Sequence, residues 1–129
     1  MNFYLERFNE GSLESFRKEV NLDEQIDYNA DFIVARDNDN KITGLAGVNI
    51  SSYKQPRFEH ILIVKKYQHT KLCVVLIKKI EELLKRMGYK NMTAYILNTR
   101  KKMMDYAEKY KFIPYHFTDK GVWYYKPLI

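Results

Sequence analysis

At 129 residues with a single cysteine and a net charge of +6, the chain is sized for one domain, residues 1–129, around one hydrophobic core. Hydrophobic residues at 46% and charged residues at 29% argue against wholesale disorder, and the longest apolar stretches, Leu72–Ile77 and Ile61–Val64, fall far below the roughly 18 residues that span a bilayer. A lone Cys73 excludes an internal disulfide framework, the scattered His60, His69 and His116 give no metal-ligand spacing, and Met1–Arg7 lacks a secretory pattern, so a reducing cytoplasmic setting with no metal and no membrane is expected.

Asn2–Phe8 reads as a first strand from its partly alternating apolar residues. Gly11-Ser12 then opens a short helix with Leu13, Phe16 and Val20 on one stripe, where Ser12 can cap the free N–H groups. Residues 21–30 read as a polar loop. Asp31–Arg36 and Lys41–Ser51 bracket Asp37-Asn38-Asp39-Asn40, a run of turn formers that marks a hairpin. Arg57–Lys65 is a strongly apolar strand. Thr70–Met87 carries a helical stripe of Leu72, Val75, Leu76, Ile80, Leu83, Leu84 and Met87, and Gly88 stops it. Asn91–Leu97 is a strand, Arg100–Tyr110 a second amphipathic helix, and Phe112–Phe117 with Val122–Lys126 a closing hairpin. The order β-α-β-β-β-α-β-α-β-β predicts an α/β (α+β) domain: a mixed, mostly antiparallel sheet flanked by helices on both faces, with one parallel crossover over 57–97.

A basic balance favours anionic partners, whether nucleic acid, acidic protein or a phosphate-rich cofactor. The junction Ile61-Leu62-Ile63-Val64-Lys65-Lys66-Tyr67-Gln68-His69-Thr70-Lys71-Leu72-Cys73 is where such a cofactor fits. A buried strand ends there, a polar loop turns, and a long helix begins. Helix starts present unpaired N–H groups and partial positive charge, which suit a pyrophosphate, and Lys65, Lys66 and Lys71 surround the position. A plain strand-to-helix junction with solvated lysines carries the same features.

This stretch, with the order of elements, resembles the GNAT N-acetyltransferase superfamily. The family's loop, Gln/Arg-x-x-Gly-x-Gly/Ala, aligns with Gln68-His69-Thr70-Lys71-Leu72-Cys73, so Lys71 replaces the first glycine and Cys73 the second small residue. The later signature, an Asn followed by an apolar helix ending in Gly-Phe, is echoed by Asn98-Thr99 and by Tyr106-Ala107-Glu108-Lys109-Tyr110-Lys111-Phe112, with Lys111 in place of glycine. The resemblance implies that acetyl-CoA binds at this junction as co-substrate. Backbone groups of Ile63, Val64 and Lys65 would bond the pantetheine arm like an added strand. The amides of Gln68, His69, Thr70, Lys71, Leu72 and Cys73 would cradle the pyrophosphate, and Asn98 would lie near the thioester. Glu59 falls where some members keep a catalytic carboxylate, although a glutamate at a strand surface also fits. The tyrosine that protonates the leaving thiolate aligns with Ala107, so a one-residue shift in register is needed to make Tyr106 the acid.

The implied activity is N-acetylation of an amine on a small molecule or protein, with the oxyanion held by a backbone N–H of the Ile63–Val64 region. A catalytically inactive module on the same fold, acting as inhibitor or adaptor of a protein or nucleic acid, is the alternative that the missing glycines favour. His60 and His69 have pKa values suited to proton transfer, but alternation along the strand turns Glu59 and His60 to opposite faces. Cys73 at a helix start could have a lowered pKa, yet no Cys-His-Asp arrangement is readable and it is taken as a packing residue. Tyr115-His116-Phe117 and Trp123-Tyr124-Tyr125 suit packing, an acceptor-site wall, a stacking platform for single-stranded nucleic acid, or a homodimer contact. The sequence does not distinguish acetyl from other acyl groups.

Overall fold

The structure, a computed structural model, describes residues 1–20, 25–50 and 55–128. Its strands are β1 (Asn2–Glu6), β2 (Asp31–Arg36), β3 (Ile42–Asn49), β4 (Arg57–Ile63), β5 (Asn91–Leu97), β6 (Ile113–Phe117) and β7 (Gly121–Pro127). The helices are α1 (Glu14–Val20), α2 (Leu72–Arg86) and α3 (Lys101–Lys109), with a short 3-10 turn over Lys65–Tyr67. The element order is the expected one. The strands form one sheet in the order β1-β2-β3-β4-β5-β7-β6. Among the described residues every pairing is antiparallel except that of β4 with β5.

β2 shows why helices are needed on both faces. Its side chains alternate, and both sets are apolar, so neither face can be left to water. Phe32 and Val34 pack with Leu13 and with Phe16 of α1 on one face. Ile33 and Ala35 pack with Leu72, Leu76 and Ile80 of α2 on the other, where Ala107 and Phe112 complete the layer. No described helix is long and apolar enough to cross a membrane.

Two local expectations change. Ser12 does not cap α1, which begins two residues later; its hydroxyl donates to Asn9 O at 2.6 Å and closes the preceding turn. The 21–30 segment is not simply polar loop. Residues 21–24 lie outside the described residues, but Ile26 and Ala30 are buried against α1 and β2. Asp27 anchors this stretch, its Oδ2 accepting from Asn49 Nδ2 at 2.7 Å and its Oδ1 from Asn29 N–H at 3.0 Å.

The helix ends form a matched pair. After α2, Gly88 takes φ +90° while Tyr89 N–H donates to Leu84 O at 3.0 Å and Gly88 N–H to Lys85 O at 3.0 Å. After α3 the same two bonds recur, Phe112 N–H to Ala107 O at 2.8 Å and Lys111 N–H to Glu108 O at 3.1 Å. Here Lys111 supplies the left-handed residue at φ +68°. Both are Schellman ends, but lysine bears a β-carbon clash that glycine lacks. Lys111→Gly should therefore raise stability by about 1 kcal/mol, read as a higher urea midpoint at unchanged slope. An unchanged or lowered midpoint would show that the conformation costs lysine nothing.

Candidate functional site

β4 is held along its length by β3, but it pairs with β5 only at Arg57↔Thr93 and Phe58↔Ala94. Beyond Phe58 the two strands part, and a cavity of about 770 Å³ fills the wedge between them. The local cause lies in β4. Gly47 pairs with His60 and Val48 with Phe58, which leaves Glu59 as an extra, bulged residue. A bulge bends its strand and raises its twist, here at the level where β5 is lost.

The bulge also changes which way side chains point. Phe58 packs in the α2/α3 layer. His60 stacks on Phe32 of the α1 layer, ring centroids 6.3 Å apart. Glu59 pairs with Arg57, Nε to Oε1 3.3 Å, and the Arg57 guanidinium lies 4.9 Å over the Trp123 ring. Trp123 alternates with Val122 and Tyr124, which belong to the α2/α3 layer, so it faces the α1 side. Glu59 and His60 thus share one face, contrary to simple alternation. His60 is an anchor: buried, it accepts the Asp27 N–H at Nε2, 2.9 Å, which places the ring proton on Nδ1.

The cavity passes through the sheet. Asp27, Glu59 and His60 line it on the α1 side, and Cys73, Ile77, Tyr106 and Tyr110 on the side of α2 and α3. Tyr106 is 40% exposed and stacks on Tyr110, centroids 5.8 Å apart and 16° between planes. Burial is the main cause that pushes the Tyr110 hydroxyl above its ordinary pKa, and the neighbouring Cys73 and Tyr106, which would repel its anion if ionised, act in the same direction. Burial likewise pushes the Cys73 thiol up. That reverses the lowering expected at a helix start and agrees with a packing role.

The strand-to-helix junction forms the open end. Val64 is buried, and its N–H donates to Thr43 O at 3.0 Å. Since Gly44 stands opposite Ile63, antiparallel alternation turns the backbone groups of Ile63 and Ile61 the other way, into the wedge. Ile63 O there accepts from Gln68 Nε2 at 3.1 Å. Lys65 starts the 3-10 turn, and its carbonyl accepts the Gln68 N–H at 3.2 Å. Gln68, His69 and Thr70 line the cavity, with His69 at φ +63°. Thr70 Oγ1 accepts the Leu72 N–H at 3.3 Å, and the Leu72 side chain is buried beneath α2. Among the described residues the amides of His69, Thr70, Lys71, Cys73 and Val74 have no hydrogen-bond partner, which leaves a cluster of donors at the helix start. Lys71 caps α2 at φ −78°, ψ 0°, a conformation that asks nothing of glycine.

Asn98 stands apart from the other expected residues. Its Nδ2 donates to Asp119 O at 3.1 Å and its N–H to Lys120 O at 2.8 Å, tying β5 to the turn before β7. It does not line the cavity, and contact with a thioester would require that turn to release it. The sequence reading missed Ile61, Arg57, Asp27 and Tyr110. The consecutive polar residues Glu59-His60 within an apolar strand were the available signal of a bulge. The aromatic closing hairpin is divided: Tyr124 is core, while Tyr115, Trp123 and Tyr125 line a second cleft of about 560 Å³ beside Arg57.

Comparison with known proteins agrees with this geometry. A family model described as acetyltransferase (GNAT) domain matches residues 4–121. No curated protein sequence matches. Among solved structures, a GNAT-family acetyltransferase from Staphylococcus aureus has a TM-score of 0.75 at 14% identity, covering 99% of this chain and 100% of its own. The PaiA N-acetyltransferase from Thermoplasma acidophilum, solved with coenzyme A, has a TM-score of 0.73 at 13% identity, covering 98% and 99%. The ribosomal-protein-S18-alanine N-acetyltransferase from Escherichia coli has a TM-score of 0.74 at 10% identity, covering 98% and 94%. With nearly the whole length matched and the sheet opened between its parallel strands, the chain belongs to the GNAT acetyltransferase family.

Proposed function

We propose that the protein is an acetyl-CoA-dependent N-acetyltransferase that acetylates an amine of a small molecule or protein. The observation that carries this reading is the wedge between β4 and β5, which ends in free amides at the start of α2. The fit is direct. The backbone of Ile61 and the N–H of Ile63 offer a strand edge to an extended amide-bearing arm, while Ile63 O is held by Gln68 Nε2. The amides of His69, Thr70, Lys71 and Cys73 meet a pyrophosphate, and the exposed Lys65, Lys66 and Lys71 add charge around it. The Thermoplasma relative, which holds coenzyme A on this fold, supports the assignment.

In this scheme the acceptor amine attacks the thioester carbon directly. Glu59 takes the amine proton, itself or through a water, with Arg57 fixing the direction of its carboxylate. The N–H of Ile61 or Ile63 stabilises the oxyanion; Val64 cannot, because its N–H is spent on Thr43. Collapse breaks the carbon–sulfur bond, and Tyr106 returns a proton to the leaving thiolate. Tyr110, stacked beneath it, holds the Tyr106 ring against the cavity.

Three measurements test the reading. Coenzyme A or acetyl-CoA at 100 times its Kd should stabilise the fold by roughly 2.7 kcal/mol, a rise on the order of 10 °C in Tm. No shift with either ligand up to millimolar concentration would sink it. Cys73 is the only cysteine and lines the cavity, so its alkylation rate reports occupancy. Labelling at pH 7 should be slow and should fall about tenfold further with coenzyme A bound; full reactivity in the saturated protein would place the cofactor elsewhere. Glu59→Gln and Tyr106→Phe should each lower kcat by about 100-fold or more, with KM for acetyl-CoA little changed. Loss of the acidic limb of the kcat/KM profile in the Glu59 variant would mark it as the base. Near-normal turnover by either variant would remove that residue from its role.

A further inference from the structure

The closed end of the wedge is built differently from the rest of the cavity. Phe58 is the last β4 residue paired to β5, and its ring packs on Phe112, centroids 6.4 Å apart at 66°. Phe112 N–H donates to Ala107 O, so Ala107 stands beside this aromatic pair. Ala107 lines the cavity, where it presents a methyl group. Ile77, Ile96 and Met103, which also line the cavity, are apolar. Of the polar lining groups, Gln68 belongs to the strand-to-helix junction and Glu59 and Asp27 to the α1 side, while Tyr106 precedes Ala107 on α3. Because Ala107 lines the cavity, a longer side chain at 107 would enter it.

We propose that this end accepts the chain of an acyl-CoA longer than acetyl, laid against Ala107, Met103 and the Phe58–Phe112 pair. The inference rests on the proposed function, since it places the acyl chain relative to a thioester in the same wedge. Methylene groups entering an apolar site leave water, and each one fully buried strengthens binding about fourfold. Met103, unbranched and flexible, adapts to chains of different length.

The test is a binding series on the whole protein with coenzyme A, acetyl-CoA, butyryl-CoA and hexanoyl-CoA, read by calorimetry. Butyryl-CoA, with two more methylenes, should bind about fifteenfold more tightly than acetyl-CoA. Ala107→Leu should bring the butyryl-to-acetyl ratio to about one by filling the space. If that variant does not fold, Met103→Phe, which fills the space from the next turn of α3, should do the same. Equal affinities for acetyl- and butyryl-CoA in the wild-type protein, or weaker binding as the chain grows, would overturn the inference while leaving the proposed function intact. An unaltered preference in a folded filling variant would also overturn it. Failure of coenzyme A itself to bind would remove the proposed function, and this inference with it.

Discussion

The bulge at Glu59 is the constraint on which the site depends. A regular β4 would run beside β5 for its whole length, and the sheet would be closed where the cavity now lies. One extra residue opposite Gly47 and Val48 bends the strand after Phe58. Its outer edge, at Ile61 and Ile63, then faces the wedge instead of β5. β3 makes this affordable by holding β4 from the other side, through Val64 N–H on Thr43 O as far as the end of the strand. The helices complete the arrangement. α2 crosses over the wedge and brings its unpaired amides to the open end, and α3 covers the closed end with Ala107.

The two lysines that stand at family glycine positions have separate physical meanings. Lys71 has φ −78° and ψ 0° at the cap of α2, so any residue fits the backbone there. The left-handed residue of this loop is instead His69, at φ +63°. The departure at 71 therefore does not distort the turn, and it adds a cation at a helix start with free donors. Lys111 does occupy a left-handed position, yet it makes both hydrogen bonds of the Schellman end that Gly88 makes after α2. The fold has kept the geometry and accepted strain at one residue. Neither substitution argues that the binding loop has decayed.

Legibility in the sequence followed the range of the forces involved. Helices α2 and α3 and the 31–51 hairpin announced themselves because amphipathic stripes, Gly88 and the Asp37–Asn40 turn act within a few residues. The chain order then limited the sheet to few topologies. What escaped depended on partners distant in sequence. Ile26 and Ala30 are buried because α1 and β2 meet over them, and their own neighbours are polar. The facing of Glu59 and His60 depended on register against β3, since one bulged residue reverses an alternation argument for everything before it. Asn98 is held by a turn more than 20 residues onward, a bond spanning |i−j| of 21. For Cys73, the helix start predicted one direction of pKa change, whereas burial, a tertiary property, gave the other.

A cavity that passes through a sheet has two chemically distinct ends, and here the difference assigns directions. The α1 side carries Asp27, Glu59 and His60, with Arg57 behind Glu59. The α2/α3 side carries the apolar and aromatic residues, with the only thiol pushed toward its neutral form by burial. A charged amine sheds hydration along the apolar part of the second side, whereas an acyl chain gains by lying there. Under the proposed function, then, the amine reaches the thioester from the α1 side, past Glu59. On that reading, the residues that select the amine belong to the loop around Asp27 and the Arg57–Trp123 neighbourhood, and not to the helix start proposed to hold the cofactor.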